Sequence, residues 1–223
     1  MRLAGGLMKS FIFALCAGLA CLPQLCAAQT ADADAQYQTL LTGARAAVDK
    51  GESVDWTQLR YAYAERPSFS GSLPDSRADM FTAAKAGDWA AVEKAAEAEL
   101  DSAYIDGAAH FLLGAAWAHL PPSRTGQAEA AQREKAVAMA IIDSMRTGDG
   151  LSHEKAFTVI AVSEEYDLLG SIGVTSETQA LDQHDGHMFD VMTTKDKDGK
   201  AVVYYFNIDR AWAAEARALT GGK

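Results

Sequence analysis

Cysteine is scarce in this 223-residue sequence and stands only near its beginning, at Cys16, Cys21 and Cys26. A chain that begins after residue 28 contains no cysteine at all. Such a chain has no disulfide bond, no thiolate nucleophile and no cysteine-based zinc site. A lipid anchor on Cys21 is an alternative, but it would require a larger aliphatic residue than Gly18 three positions earlier.

Long hydrophobic runs are absent as well. The apolar run Phe11–Leu22 has about twelve residues, which is too short to span a bilayer as a helix. Arg2 and Lys9 precede this run, and small residues follow it up to Ala28. This order is typical of a cleaved secretory signal peptide over residues 1–28. We therefore expect an exported protein, periplasmic or secreted, without a transmembrane segment.

Basic residues are fewer than acidic ones. The chain has 20 Lys and Arg against 30 Asp and Glu, which gives a formal net charge of −10. Loss of residues 1–28 removes Arg2 and Lys9 and no acid, which leaves 18 basic against 30 acidic residues, or −12. Nucleic acids and anionic lipid surfaces are bound through basic patches, so we expect neither as a partner.

Motifs of the common enzyme classes are missing too. The sequence has no glycine-rich phosphate loop and no nucleophile elbow with a following acid and histidine. Residues 152–155 match the Ser-x-x-Lys pattern of penicillin-binding enzymes, but the other elements of that family do not follow. Residues 196–199 offer only two oxygens at the spacing of a calcium loop. We assign no catalytic residue, no metal ligand and no cofactor.

What the sequence does contain, from residue 31 to residue 146, is apolar residues at helical spacing, separated by loops rich in Gly and Pro. Asp55 and Asp88 each stand at an N-cap position before such a segment. The helices of residues 79–146 are short and rich in alanine, in the style of tetratricopeptide helix pairs. We predict a body of helical hairpins over residues 29–147.

The pattern changes in the last third of the chain. Residues 156–162 are rich in β-branched side chains and predict a strand, after which Ser163 is placed to cap a short helix. Residues 187–194 and 202–208 alternate in polarity on either side of an Asp-Gly turn at 198–199. This arrangement predicts a β-hairpin.

These patterns together predict the fold class α+β, mostly α. Residues 148–223 are expected to form a small antiparallel sheet of about three strands with a final helix that Trp212 packs onto it. Both halves of the chain are small, so we expect them to share one core.

Five residues at the predicted junction of helix and sheet form the candidate binding site: Glu164, Glu165, Tyr166, His187 and Asp190. Adjacent residues of a helix do not face each other, so Glu164 and Glu165 cannot share a proton as a catalytic dyad. Acids in the first turn of a helix also have a structural role, since they oppose the helix dipole. Strand alternation places His187 and Asp190 on opposite faces, which disfavours a metal site built from both.

Several short motifs, taken in their order, resemble an uncharacterised family of exported bacterial proteins described only as a domain of unknown function. They are VDWxxLRxAY at 54–63, AGDW at 86–89, AH at 109–110, GDG at 148–150, AFxVI at 156–160, EEY at 164–166, HxxD at 187–190 and YFNI at 205–208. The resemblance implies export, a tetratricopeptide-like helical body and a small β element. It implies no reaction and no ligand.

From these observations we predict an interaction module of the cell envelope, with another envelope protein as its partner. A specialised form of this hypothesis is an acidic inhibitor of a basic partner, of the kind that toxin-immunity proteins represent. The alternative is an envelope hydrolase or a metal-dependent enzyme that uses the candidate residues at the junction. A purely structural envelope component is a third possibility. Convergence of the candidate side chains around a cleft would favour the enzyme.

Overall fold

The computed structural model describes residues 22–74, 76–123 and 125–221. Most of the predicted signal peptide, residues 1–21, lies outside the described residues, and residues 22–28 belong to the first helix. The elements in chain order are α1 (Leu22–Lys50), α2 (Trp56–Ala64), α3 (Ser76–Ala86), α4 (Trp89–Ser102), α5 (Gly107–His119), α6 (Gln127–Met145), a 3₁₀ turn (His153–Lys155), β1 (Phe157–Thr158), α7 (Val162–Ser171), β2 (Thr175–His184), β3 (His187–Lys195), β4 (Ala201–Asn207) and α8 (Asp209–Gly221).

Helices α1 to α6 form the helical body that the apolar spacing predicts. Asp55 and Asp88 cap α2 and α4 as predicted, because their carboxylates accept the backbone N–H three residues later, at 2.9 and 3.0 Å. Helices α5 and α6 approach closely at Gly114, where a Cβ atom would lie 2.7 Å from the carbonyl oxygen of Ala131. A glycine is therefore required at this crossing. Among the described residues, no helix combines the length and the hydrophobicity needed to cross a membrane.

Within the described residues, four strands form one mixed sheet in the order β1–β4–β3–β2. Strand β1 runs parallel to β4, and the other neighbours are antiparallel. The fold class α+β, mostly α, is confirmed. The expectation of about three antiparallel strands was wrong in two respects: the sequence patterns missed β2, and β1 runs in the parallel direction.

The strand predicted over residues 156–162 is a strand only at Phe157–Thr158. Residues 159–161 are fully buried, so their apolar character reflects their place in the core. Val159 still donates its backbone N–H to the carbonyl of Asn207 at 3.2 Å, but residues 160 and 161 are not part of a strand. The helix begins directly afterwards with Ala161 at its N-cap. Ser163 therefore lies inside α7, where its hydroxyl is buried and has no hydrogen-bond partner among the described residues. Its prediction as the cap was wrong.

One hydrophobic cluster includes side chains of the helical body and of the sheet. Its members include Tyr37 of α1, Leu59 of α2, Ile141 of α6, Met192 of β3 and Phe206 of β4. All five side chains are almost completely buried. The core thus extends from the first helices to the central strands, and α7 is packed inside it through Leu168 and Leu169.

Helix α8 packs against the same core through small residues. Ala211 and Ala214 are buried there. Trp212, predicted to pack this helix onto the sheet, is instead 45% exposed. The small alanines allow α8 to approach the sheet, and the indole of Trp212 lines a pocket beside it.

Candidate functional site

Helix α7 directs two adjacent glutamates into the interior, and they meet different partners. The carboxylate of Glu164 accepts two hydrogen bonds from the guanidinium of Arg60 on α2, at 2.9 and 2.6 Å. It also accepts the backbone N–H of Ile160 at 2.8 Å. The guanidinium donates further to the hydroxyl of Ser144 and the carbonyl of Thr158. This buried pair joins α2, α6, β1 and α7, and its polar groups are satisfied by the protein itself.

Glu165 lies against the sheet, where its carboxyl group hydrogen-bonds that of Asp190 on β3. Burial raises the pKa of Glu165 to about 10, and the negative charge of Asp190 and the hydrogen bond between the two groups act in the same direction. At neutral pH Glu165 therefore holds a proton. The other oxygen of Glu165, Oε1, is buried and has no hydrogen-bond partner in the described ranges.

Gln179 of β2 connects this carboxyl pair to Tyr166. Its amide N–H donates to Asp190 Oδ2 at 2.7 Å and lies 3.4 Å from Glu165 Oε2, while its amide oxygen accepts the Tyr166 hydroxyl at 3.0 Å. Three of the sequence candidates are thus brought together by a residue that the sequence patterns did not identify. The Asp-Gly pair at 185–186 could have revealed it, since such a pair predicts a strand on each side.

A pocket of about 400 Å³ opens beside this cluster, between β2, the start of α7 and α8. We call it the acidic pocket; it is lined by Val162, Gln179, Leu181, Asp190, Ile208, Ala211, Trp212 and Glu215. Most of its walls are apolar side chains, and Asp190 and Glu215 supply its charged groups. Counting the described residues, neither carboxyl group has a basic side chain within ion-pair distance.

The two members of the carboxyl pair differ in their access to this pocket. Asp190 is 4% exposed and lines it, whereas Glu165 is completely buried and does not. A ligand in the acidic pocket would therefore meet Asp190, and would act on Glu165 through the hydrogen bond between them. Chemically, the arrangement can bind a cation and can hold or release a proton.

His187 does not join this cluster. It points to the other face of the sheet, as strand alternation predicts, and its Nδ1 lies 2.6 Å from Asp209 Oδ2 at the start of α8. The other oxygen of Asp209 accepts the backbone N–H of Met188 at 2.8 Å. His187 thus supports the junction of β3 and α8 and lies outside the acidic pocket.

A histidine pair also lies on that other face. The rings of His153 and His184 are stacked with their centroids 4.2 Å apart, and His153 Nε2 lies 2.8 Å from Asp182 Oδ2. Stacked rings direct their nitrogen atoms along parallel planes, so the two do not converge on one ion. Within the described ranges, no three His, Cys, Asp or Glu side chains are arranged to hold a metal ion.

A second group of buried acids lies between α3, α5 and α7, and the sequence patterns did not identify it. Arg77 donates to both oxygens of Asp106, at 2.5 and 2.6 Å, and to Asp167 at 2.5 Å. Burial raises the pKa of Asp167 to about 6, although Arg77 acts to lower it. Burial also raises the pKa of Glu99 to about 7. One guanidinium thus serves two carboxyl groups here, those of Asp106 and Asp167.

Comparisons with curated proteins and with solved structures gave no match. One family model matches residues 29–217, which include every element from the first half of α1 to most of α8. The description of that family gives neither an activity nor a ligand. The resemblance expected from the sequence motifs is thus confirmed as far as the family: the chain belongs to the family described as a domain of unknown function, DUF4919.

Proposed function

We propose that this protein is an interaction module that binds a basic partner protein by taking up a lysine side chain in the acidic pocket. One observation carries the proposal. Asp190, which is 4% exposed, lines the base of the pocket and has no basic side chain within ion-pair distance among the described residues. Behind it, the buried carboxyl group of Glu165 leaves its Oε1 without a hydrogen bond. Buried charge of this kind is costly unless a counter-charge reaches it.

The composition of the pocket favours lysine as that counter-charge. Leu181, Ile208 and Val162 offer apolar surface to the methylene stem of a lysine, which packs well along such surface while its head group stays paired. The ammonium group would meet Asp190 at the base and Glu215 at the wall. The indole of Trp212 is a further favourable neighbour for a cation.

The charge of the whole chain acts in the same direction. A formal net charge of −10 attracts a basic protein over distances of about 8 Å at physiological salt and speeds the encounter. An inhibitor of a basic toxin would be a special case of this function. We place the protein in the cell envelope because of the charge and hydropathy pattern of residues 1–28, and mass determination of the N-terminus from fractionated cells tests this part separately.

The test uses the chain from residue 29 and the smallest suitable probe, Nα-acetyl-lysine N-methylamide. The matched control probe is the norleucine analogue, which keeps the stem and lacks the charge. We expect the lysine probe to shift the indole N–H signal of Trp212 in NMR spectra with a Kd in the millimolar range, and the norleucine probe to bind at least tenfold more weakly.

Protein variants locate the binding. Asp190→Asn should weaken binding of the lysine probe at least tenfold and the exposed variant Glu215→Gln about threefold, whereas Asp198→Asn in the β3–β4 turn should not change it. Because Glu215→Gln does not alter the core, it remains informative if Asp190→Asn fails to fold. Equal binding of both probes, or unchanged binding by both pocket variants, would overturn the proposal.

The proton on Glu165 gives a further readout. A bound ammonium group favours the ionised form of Glu165, so it lowers the pKa of this residue from about 10 and releases a proton. Affinity for the lysine probe should therefore rise between pH 6 and pH 9. In Glu165→Gln this rise should disappear, while the norleucine probe should show no rise in either protein.

A further inference from the structure

Strand β2 forms the outer edge of the sheet. It pairs with β3 from Thr175 to His184, and in the part of the chain that the structure describes no other strand lies beyond it. Along its ten residues every side chain except that of Ser176 is exposed. In an antiparallel pair, alternate residues direct their N–H and C=O groups away from the neighbour. Half of the backbone groups of β2 therefore face outward, and among the described residues none of them has a backbone partner there.

The common protections of an edge strand are weak in β2. Exposed edges are usually blocked by lysine, proline or bulges that twist the strand away. Strand β2 contains no lysine, arginine or proline, it carries the acids Glu177 and Asp182, and its single bulge lies near its start, between Ser176 and Thr178. Exposed acids oppose an acidic strand at this edge and not a basic one. Pairing is regular from Thr178 to the tight turn after His184. This seven-residue stretch is an open template for another strand.

The same stretch forms one wall of the acidic pocket. Gln179 and Leu181 are two residues apart, so they share one face of the strand, and both line the pocket. A strand added beside β2 would lie about 5 Å beyond it, with alternate side chains on this face. A long side chain opposite Leu181 would therefore extend over it toward Asp190, which is the cross-strand neighbour of Leu181 on β3.

From this juxtaposition we infer that the partner presents its lysine on an extended segment that adds to the edge of β2 as a fifth strand. The inference rests on the proposed function and specifies its partner: a β-strand of a basic protein, with the lysine on the face that covers the pocket. Backbone hydrogen bonds would supply affinity, and the acidic pocket would supply selectivity for the side chain.

A second copy of this chain fits the edge less well than a basic strand. Two copies would bring two acidic pockets together, each with Asp190 and Glu215 and without a basic side chain at ion-pair distance in the described ranges. Each copy also carries a formal net charge of −10. Like charges across an interface oppose association, and opposite charges favour it. The charge thus selects a cationic strand over self-pairing.

The test uses a blocked seven-residue peptide with a central lysine between alternating threonine and valine residues. Two matched peptides carry backbone N-methyl groups along one edge or along the other, which removes the N–H donors of that edge and leaves the side chains unchanged. We expect the parent peptide to bind at least tenfold more tightly than Nα-acetyl-lysine N-methylamide. The peptide that is N-methylated along the edge facing β2 should lose this tighter binding, and the peptide that is N-methylated along its other edge should keep most of it.

Amide hydrogen exchange of the protein identifies the site. The outward-facing amides of β2 should become protected in the complex, and those of the β3–β4 turn should not. If the lysine probe binds and both N-methylated peptides bind as tightly as the parent peptide, strand addition is overturned while the pocket proposal stands. If the lysine probe does not bind, but the parent peptide protects the amides of β2 and the two N-methylated peptides differ in affinity, strand addition at the edge is supported and the lysine pocket is overturned. Protection of β2 that depends on protein concentration without peptide would assign the edge to a second copy and overturn the inference.

Discussion

Glu164 and Glu165 are adjacent on α7 and both are buried, yet the protein compensates their charges in different ways. Glu164 has a guanidinium, since Arg60 donates two hydrogen bonds to it and Ile160 donates a third. Glu165 has a proton, because burial and Asp190 raise its pKa to about 10. One carboxyl group is thus neutralised by a fixed cation of the fold, and the other by a proton that can leave.

This difference separates a structural pair from a candidate site. A bidentate pair with all its hydrogen bonds made has nothing to gain from a ligand. The protonated carboxyl group of Glu165 can release its proton when a cation approaches, and Asp190 separates it from a pocket that a ligand can enter. The cluster around Arg77 lies between the two cases, because one guanidinium there serves Asp106 and Asp167, and the pKa of Asp167 is still raised to about 6.

Removal of the fixed cation, Arg60, should have the largest effect on the stability of the protein. Arg60→Met leaves Glu164 buried without a counter-charge, and breaking a buried pair in this way costs about 3–5 kcal/mol. We expect the free energy of unfolding, measured by urea titration at pH 7, to fall by that amount. Neither Arg60 nor Glu164 lines the acidic pocket, so the protein that remains folded should still bind the lysine probe.

The matched control for this prediction is the double variant Arg60→Met with Glu164→Leu. Replacing both members of a buried pair by apolar residues costs much less than removing one of them. The double variant should therefore recover a large part of the lost stability. A loss below about 1 kcal/mol in the single variant would contradict the structural role of the pair.

Glu165→Gln should have a smaller effect of the opposite sign. Because the folded-state pKa of Glu165 is raised from 4.5 to about 10, its protonated form stabilises the fold at low pH, and this contribution is lost as the pH rises through that interval. Glutamine keeps an N–H donor toward Asp190 and does not titrate. We expect the variant to exceed the wild type by about 1–3 kcal/mol at pH 9 and to differ little at pH 5.

Glu164→Gln is the control at the adjacent position. It removes the charge that Arg60 needs and should destabilise the protein at both pH values. Urea titrations of the wild type and the two glutamine variants at pH 5, 7 and 9 give the comparison directly. Equal pH dependence in the wild type and in Glu165→Gln would show that Glu165 is ionised in the folded protein, and would remove the distinction between the two glutamates.

Part of this arrangement could be predicted from the sequence because it follows from helix periodicity. Glu164 and Glu165 stand four residues before Leu168 and Leu169, and residues at this spacing share one helix face. The glutamates therefore had to face the core with the leucines. What separates them is their partners, and Arg60 lies 104 positions away from Glu164, which no local pattern can reveal.

Strand β2 could not be predicted from the sequence for a different reason. Strand β2 is exposed on almost its whole length, so it lacks the alternation of polar and apolar residues by which β3 and β4 were predicted. The Asp-Gly pair at 198–199 predicts a turn because alternating segments flank it on both sides, whereas no alternating segment precedes the same pair at 185–186. Without β2 the sequence patterns could not bring Gln179 to the carboxyl pair, and the pocket remained hidden.

The smallest expected effect concerns His187, the sequence candidate that lies on the other face of the sheet. Its pair with Asp209 is largely exposed, so His187→Ala should lower the free energy of unfolding by about 0.5 kcal/mol, and less at high salt. Affinity for the lysine probe should stay within twofold of the wild type, because the sheet separates His187 from Asp190. Asp209→Asn is the control and should cost more, since Asp209 also accepts the backbone N–H of Met188. A fivefold loss of probe binding in His187→Ala would connect the two faces and contradict the assignment of the pocket to the carboxyl pair alone.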